Sequence, residues 1–137
     1  MKKIILDTNV LISFVTDRNL AQQEKAAEIL SRAAALQITI LVQQEVISEF
    51  VYVMNSVYRV SRSEIRDMLM DFNGMPGVEI IPSFDLAPTL KLWPARISDY
   101  GDAVIATLCQ KTRDSAVATF DQKFSKELTA VGLTVAG

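Results

Sequence analysis

The chain has 137 residues, half of them hydrophobic, and a formal net charge of −2, which fits one folded domain over residues 1–137 and argues against a basic protein that coats DNA. It contains no histidine and one cysteine, Cys109, so zinc sites built from Cys and His, catalysis by Ser-His-Asp or Cys-His, and an internal disulfide are excluded. A hydrolytic enzyme of this composition would depend on carboxylates, together with a hard metal ion.

Apolar runs in the chain are short. None approaches the roughly 20 residues needed to span a bilayer, so we expect no membrane segment. The N-terminus has two lysines followed only by Ile4, Ile5 and Leu6 before Asp7, which is too short for the core of a signal peptide. A cytoplasmic location is therefore expected.

Alternating strand and helix patterns fill the first half of the chain. Apolar and β-branched runs predict strands over Lys3–Leu6 and 38–42. Apolar residues at helical spacing predict a helix from about Val10, a second over 20–36 and a third over 44–58.

The second half continues the alternation. Ser61 and Glu64 form a capping box, with Val60 and Ile65 as a hydrophobic staple, and predict a helix that ends near Phe72. Gly and Pro residues at 74–77 break it. The later predicted elements are a strand over Val78–Ile81, a helix over Leu86–Leu92, a helix capped by Ser98 or Asp99 that runs to about Gln110, a strand over 116–119, a helix over 121–128 and a fifth, edge strand over 133–135.

Short apolar strands separated by helices indicate an α/β fold, a three-layer α/β/α sandwich around a central parallel sheet of four to five strands. Ligands of such sheets bind beyond the carboxyl ends of the strands, near a topological switch point. Acidic residues that follow strands are therefore the first candidates for a functional site.

Two acids directly follow predicted strands. Asp7 follows the first strand and Asp121 the fourth, where Thr119 adds a hydroxyl. Either acid is also a suitable helix N-cap. Thr8 or Asn9 could cap the first helix equally well, which would leave Asp7 free to face the crevice.

Two further pairs of acids lie on helices. Asp99 and Asp102 begin a helix, where acids suit the helix dipole but also share one face on which two carboxylates would converge on a cation. Glu45 and Glu49 are four residues apart on the helix after the second strand, as in a solvated stripe, although apolar residues surround Glu49.

Considered together, four of these acids indicate a cation site. Carboxylates of Asp7, Glu49, Asp102 and Asp121 in one crevice would repel one another unless a cation neutralised them. Oxygen ligands without His or Cys suit Mg²⁺ or Mn²⁺. Such ions activate water and stabilise negative charge on a phosphate.

Four stretches, "IILDTNVLISF", "VISEFVYVM", "DYGDAVIATL" and "AVATFDQKF", resemble in that order the motifs of the PIN domain family. The small VapC-like toxins of toxin–antitoxin systems are the most similar form, and the resemblance covers nearly the whole chain. It implies an Mg²⁺- or Mn²⁺-dependent ribonuclease, a parallel sheet flanked by helices, a homodimer and a cognate antitoxin protein that inhibits the enzyme.

The resemblance also implies roles for individual residues. Asp7, Glu49, Asp102 and Asp121 match the family's acids as catalytic and metal-binding residues, and Thr119 matches its supporting polar residue. Asp99 is a further metal ligand or a neighbour of one, Asn9 accompanies the first acid, and Glu45 competes with Glu49.

Other readings remain open. A haloacid-dehalogenase-like phosphatase would use Asp7 as a nucleophile, although Asn9 stands where that family has a second Asp. A receiver domain would require a lysine after a late strand. A catalytically silent PIN-like binding module would use the acids only as caps.

Two groups of side chains are candidates for partner contacts, or else ordinary solvated and core residues. The candidates for RNA contact are the cations Arg96, Lys111, Arg113, Lys123 and Lys126. The candidates for a dimer or antitoxin contact are Val53, Tyr58 and Met68.

Overall fold

The computed structural model describes residues 2–137, and in this range a four-stranded parallel sheet is flanked by seven helices. In chain order the elements are β1 (Lys3–Leu6), α1 (Thr8–Val15), α2 (Leu20–Ala34), β2 (Thr39–Gln43), α3 (Gln44–Ser56), α4 (Arg62–Asn73), β3 (Val78–Ile81), α5 (Leu86–Leu92), α6 (Tyr100–Lys111), β4 (Ser115–Ala118) and α7 (Gln122–Ala130). The predicted α/β class is confirmed.

The strand order is β3-β2-β1-β4, with all neighbours parallel. Ile4 of β1 lies opposite Ile40 of β2 on one side and Ala116 of β4 on the other. The chain adds β2 and β3 on one side of β1 and then crosses to place β4 on the other. The topological switch point, where open α/β sheets bind ligands, is therefore the crevice beyond β1 and β4.

Burial of β1 on both faces follows from this central position. Ile4 is 4% exposed, and Ile5 and Leu6 are fully buried. Each such side chain contributes about 1.5–3 kcal/mol when it is removed from water. Because β1 is held in the core, the residue that follows it has a defined position at the sheet edge.

The predicted fifth strand is replaced by a single β-bridge between Val117 and Val135. The amide of Val117 donates to the carbonyl of Thr134 at 2.9 Å, and the amide of Ala136 donates to the carbonyl of Val117 at 2.8 Å. The segment lies beside β4 as expected. Because it pairs at one residue only, the described part of the chain has four strands.

The helix caps correct one expectation. Asp7, rather than Thr8 or Asn9, is the N-cap of α1, which begins at Thr8 instead of about Val10. Asp99 caps α6 and Asp121 caps α7. An acid can therefore cap a helix and still stand at the sheet edge, so capping does not exclude a place in the functional site.

The capping box of α4 forms in part. The hydroxyl oxygen of Ser61 accepts a hydrogen bond from the amide of Glu64 at 3.2 Å, as predicted. The carboxylate of Glu64 accepts from the same hydroxyl at 3.2 Å, where a complete box would use the backbone amide of Ser61.

Cys109 is a free, buried residue of α6, as its apolar surroundings in the sequence predicted. Within residues 2–137, none of the helices combines the length and the apolar character required to cross a membrane.

Candidate active site

Asp7 stands between β1 and α1 and is 7% exposed. Its amide extends the sheet by donating to the carbonyl of Ala118 at 3.0 Å. Oδ1 accepts from the amide of Thr8 at 2.7 Å, and Oδ2 accepts from the Thr119 hydroxyl at 2.7 Å and from Asn9 Nδ2 at 3.2 Å. Both oxygens are therefore held in place.

Asn9 and Thr119 tie the loop after β1 to the loop after β4. Asn9 Nδ2 donates to the Thr119 hydroxyl at 3.2 Å, and Asn9 Oδ1 accepts from the amide of Phe120 at 3.0 Å. The same hydroxyl accepts from the amide of Asp121 at 3.1 Å. Asp7 and Asp121 are thereby positioned relative to each other by a network of hydrogen bonds, which we call the Asp7 network: Asp7, Thr8, Asn9, Thr119 and Asp121.

Glu49 reaches the Asp7 network from α3. The hydroxyl of Thr8, which is 3% exposed, donates to Glu49 Oε2 at 3.1 Å. The competing acid Glu45 is partly buried, and its Oε1 has no hydrogen-bond partner among residues 2–137. The hydrogen bond from Thr8 and the effect of its charge on Asp7 thus place Glu49 near Asp7.

The pKa of Asp7 is raised from 3.8 to about 6. Burial is the largest cause, because it removes water from the charged form. The hydrogen bonds from Thr119 and Thr8 lower the pKa, whereas the negative charges of Glu49 and Asp121 raise it. The carboxylate is desolvated and repelled at the same time.

Asp102, in the first turn of α6, shows the larger change, with its pKa raised from 3.8 to about 8. Burial is the first cause, followed by the charges of Asp7, Asp99, Asp121 and Glu127. Asp99 caps the helix by accepting from the Asp102 amide at 3.0 Å. Asp102 therefore faces the same crevice as Asp7 and Asp121.

A hard divalent cation fits these residues by the chemistry of the donors, which are carboxylate oxygens without His or Cys. As the side chains stand, no three acidic or cysteine residues within residues 2–137 are grouped closely enough to hold one ion. Repulsion among the carboxylates opposes such a grouping. The oxygens of Asp7 accept hydrogen bonds from the protein instead.

Sequence reasoning missed two members of the site. Thr8 was considered only as a cap, although its hydroxyl links Asp7 to Glu49. Glu127 of α7 adds charge near Asp102, and its Oε2 accepts from the amide of Ser98 at 3.1 Å. Neither residue stands out in the sequence, because each gains its role only from contact with a distant element.

The residues proposed for partner contacts divide by environment. The five candidate cations for RNA contact are all exposed, and Lys111 pairs with Asp85 at 3.0 Å. Val53 and Met68 are partly buried and pack against the core, whereas Tyr58 is exposed at 36%. Packing accounts for Val53 and Met68 at least in part.

A parallel sheet with carboxylates crowded at its switch point defines an α/β protein with an acidic site. The family model for the PIN domain matches residues 4–126, and the chain belongs to the PIN domain family. Proteins of this family are generally nucleases, and they generally use divalent metals. The match does not favour a haloacid-dehalogenase-like phosphatase.

The fold is also similar to a solved structure, that of the PIN domain endonuclease Utp24. The two share 18% sequence identity with a TM-score of 0.55, and the alignment covers 98% of this chain and 86% of the other. A search of curated proteins finds no match to this chain.

Proposed function

We propose that this chain is an Mg²⁺- or Mn²⁺-dependent endoribonuclease that hydrolyses RNA phosphodiester bonds. One observation carries the proposal: Asp7, Asp102 and Asp121 share the crevice beyond β1 and β4, where burial, and then the negative charges of neighbouring acids, raise the pKa of Asp7 and of Asp102. Carboxylates crowded in this way are common at functional sites, because a bound cation offsets the repulsion.

Asp7, Asp102 and Asp121 would hold the ion, and Glu49 and Asp99, whose negative charges act on Asp7 and Asp102 respectively, are the further candidate ligands. A divalent ion bound there would supply activation of a water and stabilisation of the charge that develops on the phosphate.

The remaining residues orient the acids. The hydroxyl of Thr119 holds Asp7 Oδ2, and Thr8 orients the carboxylate of Glu49. In the metal-free chain the raised pKa of Asp102, about 8, favours the protonated carboxyl at neutral pH. Since the chain has no histidine, a carboxylate rather than an imidazole would serve as the general base.

Cleavage of a labelled single-stranded RNA by the purified protein tests the proposal. We expect cleavage with Mg²⁺ or Mn²⁺, none with EDTA, and loss of cleavage in Asp7→Asn and Asp102→Asn variants that keep the wild-type circular dichroism. Asp71→Asn, an exposed acid on α4, is the matched control and should cleave normally. Undiminished cleavage by the purified Asp7→Asn variant would refute the assignment.

Two measurements separate the rival functions. A trapped aspartyl-phosphate on Asp7 would indicate a phosphatase. Calorimetric titration with Mn²⁺ that shows neither binding nor thermal stabilisation would indicate a catalytically silent module.

We further propose that the enzyme is the toxin of a toxin–antitoxin pair, acts in the cytoplasm as a homodimer and is inhibited by a cognate antitoxin. The motif resemblance supports this proposal. An apolar groove of 720 Å³ between α3 and α4 offers a surface for the second copy or for the antitoxin. Its wall includes Val51, Tyr52 and Met70, which are 37%, 67% and 58% exposed.

The toxin role is testable separately from the nuclease activity. Expression of the chain should arrest growth, and co-expression of a small protein encoded in the neighbouring reading frame should relieve the arrest. Light scattering gives the oligomeric state. Growth unaffected by an active nuclease would contradict the toxin role and leave the nuclease assignment intact.

A further inference from the structure

A groove lined by cations of α2 leads away from the Asp7 network. It consists of two adjoining clefts of 430 and 410 Å³. The first is lined by Asn9, Arg18 and Asp121, and the second by Thr119 and α2. The clefts share the lining residues Asn19, Gln22 and Phe120.

Arg18 is fixed at the mouth of this groove. Its Nε and Nη2 donate to the hydroxyl oxygen of Ser13 at 3.3 and 3.0 Å, and Nη2 also donates to the carbonyl of Asn9 at 3.1 Å. Ser13 is fully buried and donates in turn to Gln22 Oε1 at 3.2 Å. One edge of the guanidinium is thus anchored to neutral groups.

The other edge of Arg18 is available to a ligand. Nη1 has no hydrogen-bond partner among residues 2–137, and the ion pairs in that range involve Arg66 and Lys111 instead. A guanidinium held in one orientation, with its charge unpaired, is suited to bind a phosphate. It stands next to Asn9, which contacts Asp7.

Lys25 and Arg32 continue the positive wall. They are seven residues apart on α2, which places them on one face about 10 Å apart along the axis. Glu28 lies between them and reduces the charge of the wall. Phe120, partly buried against the core, adds an aromatic side chain to both clefts.

We propose that this groove binds the single-stranded RNA segment adjacent to the scissile phosphate, with Arg18, Lys25 and Arg32 on its phosphates and Phe120 against a base. A cationic groove with an aromatic side chain is how proteins bind single strands without sequence preference. The groove ends at the acids proposed for cleavage, which favours a substrate strand over an acidic protein segment. The inference rests on the proposed ribonuclease function.

The salt dependence of binding tests the role of each cation. We measure binding of a fluorescein-labelled 12-nucleotide oligouridylate in EDTA, which prevents cleavage, over a range of KCl concentrations. Each phosphate contact contributes about 0.7 to the slope of log Kobs against log salt for single strands. Arg18→Ala, Lys25→Ala and Arg32→Ala should each lower the slope by that amount and weaken binding about 10-fold. Lys91→Ala, which removes an exposed cation of α5 far along the chain from this groove, is the matched control.

Three further variants give independent directions of change. Glu28→Gln should tighten binding, because it removes the negative charge from the wall. Ser13→Ala should weaken binding without changing the slope, since Arg18 keeps its charge and its bond to Asn9 but loses both bonds to Ser13. Phe120→Leu should weaken binding to the single strand and leave the slope unchanged.

The outcomes separate the inference from the proposed function. If the wild type cleaves RNA and the three cation variants match it in slope and KM, the groove assignment is wrong and the ribonuclease remains. If the cation variants lose affinity for oligoglutamate but not for oligouridylate, the groove binds an acidic protein segment and the inference is overturned. Equal affinity for a duplex, unaffected by Phe120→Leu, would also overturn it.

Discussion

The hydroxyl of Thr119 donates a 2.7 Å hydrogen bond to Oδ2 of Asp7, which joins residues 112 positions apart in the sequence. The same hydroxyl accepts from Asn9 and from the amide of Asp121. One small side chain therefore sets the orientation of the first acid and the position of the last. This arrangement exists because β1 and β4 are adjacent and parallel.

Thr119→Val removes this hydroxyl and keeps the shape of the side chain. Because the hydroxyl lowers the pKa of Asp7, its loss should raise that pKa further. We expect cleavage to fall roughly 10- to 100-fold, as for other groups that orient metal ligands. Thr119→Ser retains the hydroxyl and should cleave almost normally. Equal rates for the valine and serine variants would show that the hydrogen bond has no role.

Asp102→Asn should stabilise the metal-free protein in a manner that depends on pH. The folded-state pKa of Asp102 is raised from 3.8 to about 8, so folding favours the protonated form. The contribution of Asp102 to the free energy of unfolding is therefore greatest below about pH 4. It declines as the pH rises to about 8. Asn carries no charge and avoids this loss.

The gain from Asp102→Asn should be near zero at pH 4 and on the order of 1–2 kcal/mol at pH 8.5, because the carboxyl is partly exposed and solvent screens the repulsion. Urea unfolding in EDTA at the two pH values measures it. A stability difference that stays constant between them would contradict the raised pKa.

Binding of Mn²⁺ should strengthen as the pH rises. Carboxylates must lose their protons before they bind a cation, and the pKa values of Asp7 and Asp102 are about 6 and 8. We expect affinity to increase from about pH 5 to about pH 9, with release of protons that calorimetry in two buffers of different ionisation enthalpy can count. An affinity independent of pH would exclude these two residues as ligands.

Glu49 and Glu45 provide a matched pair of variants on one helix. Glu49→Gln removes the charge that acts on Asp7 and leaves the Thr8 hydroxyl a neutral amide oxygen as its acceptor, so Mn²⁺ affinity should fall at least about 10-fold. Glu45→Gln should change it little. Isothermal titration of both variants decides between them, and a larger effect at position 45 would reverse the assignment.

Gly77 and Gly132 provide a matched pair of variants that separates the cost of backbone conformation from that of a steric clash. Both have positive φ, at +80° and +82°. A Cβ at Gly77 would collide with the carbonyl group of Ala33, whereas one at Gly132 would meet no atom within 4 Å. Gly132→Ala should cost about 1–2 kcal/mol from conformation alone, and Gly77→Ala more than about 3 kcal/mol. Thermal unfolding of the two variants measures the difference, and equal losses would show that the contact with Ala33 is relieved at little cost.

Most helices and strands were predictable because each depends on local spacing of apolar residues. β1, β3 and α5 have the predicted bounds, and the ends of the other elements differ by a few residues. The predicted N-terminus of α1 was wrong because three successive residues, Asp7, Thr8 and Asn9, are all good caps. Local propensity does not distinguish these three residues as caps. The tertiary structure favours Asp7, which accepts hydrogen bonds from Asn9 and Thr119, themselves bonded to each other.

By itself the sequence determined the kind of chemistry that is available. Because the chain has no histidine and one cysteine, a metal site with several side-chain ligands must be built from oxygen atoms. The alternation of strands and helices dictates a parallel sheet. Tertiary structure alone decided which oxygens meet. Strand order places β4 beside β1, burial raises the pKa values of Asp7 and Asp102, and hydrogen bonds to α1 hold Arg18 at the mouth of the site. These features depend on contacts between residues far apart in the chain, which local spacing does not encode.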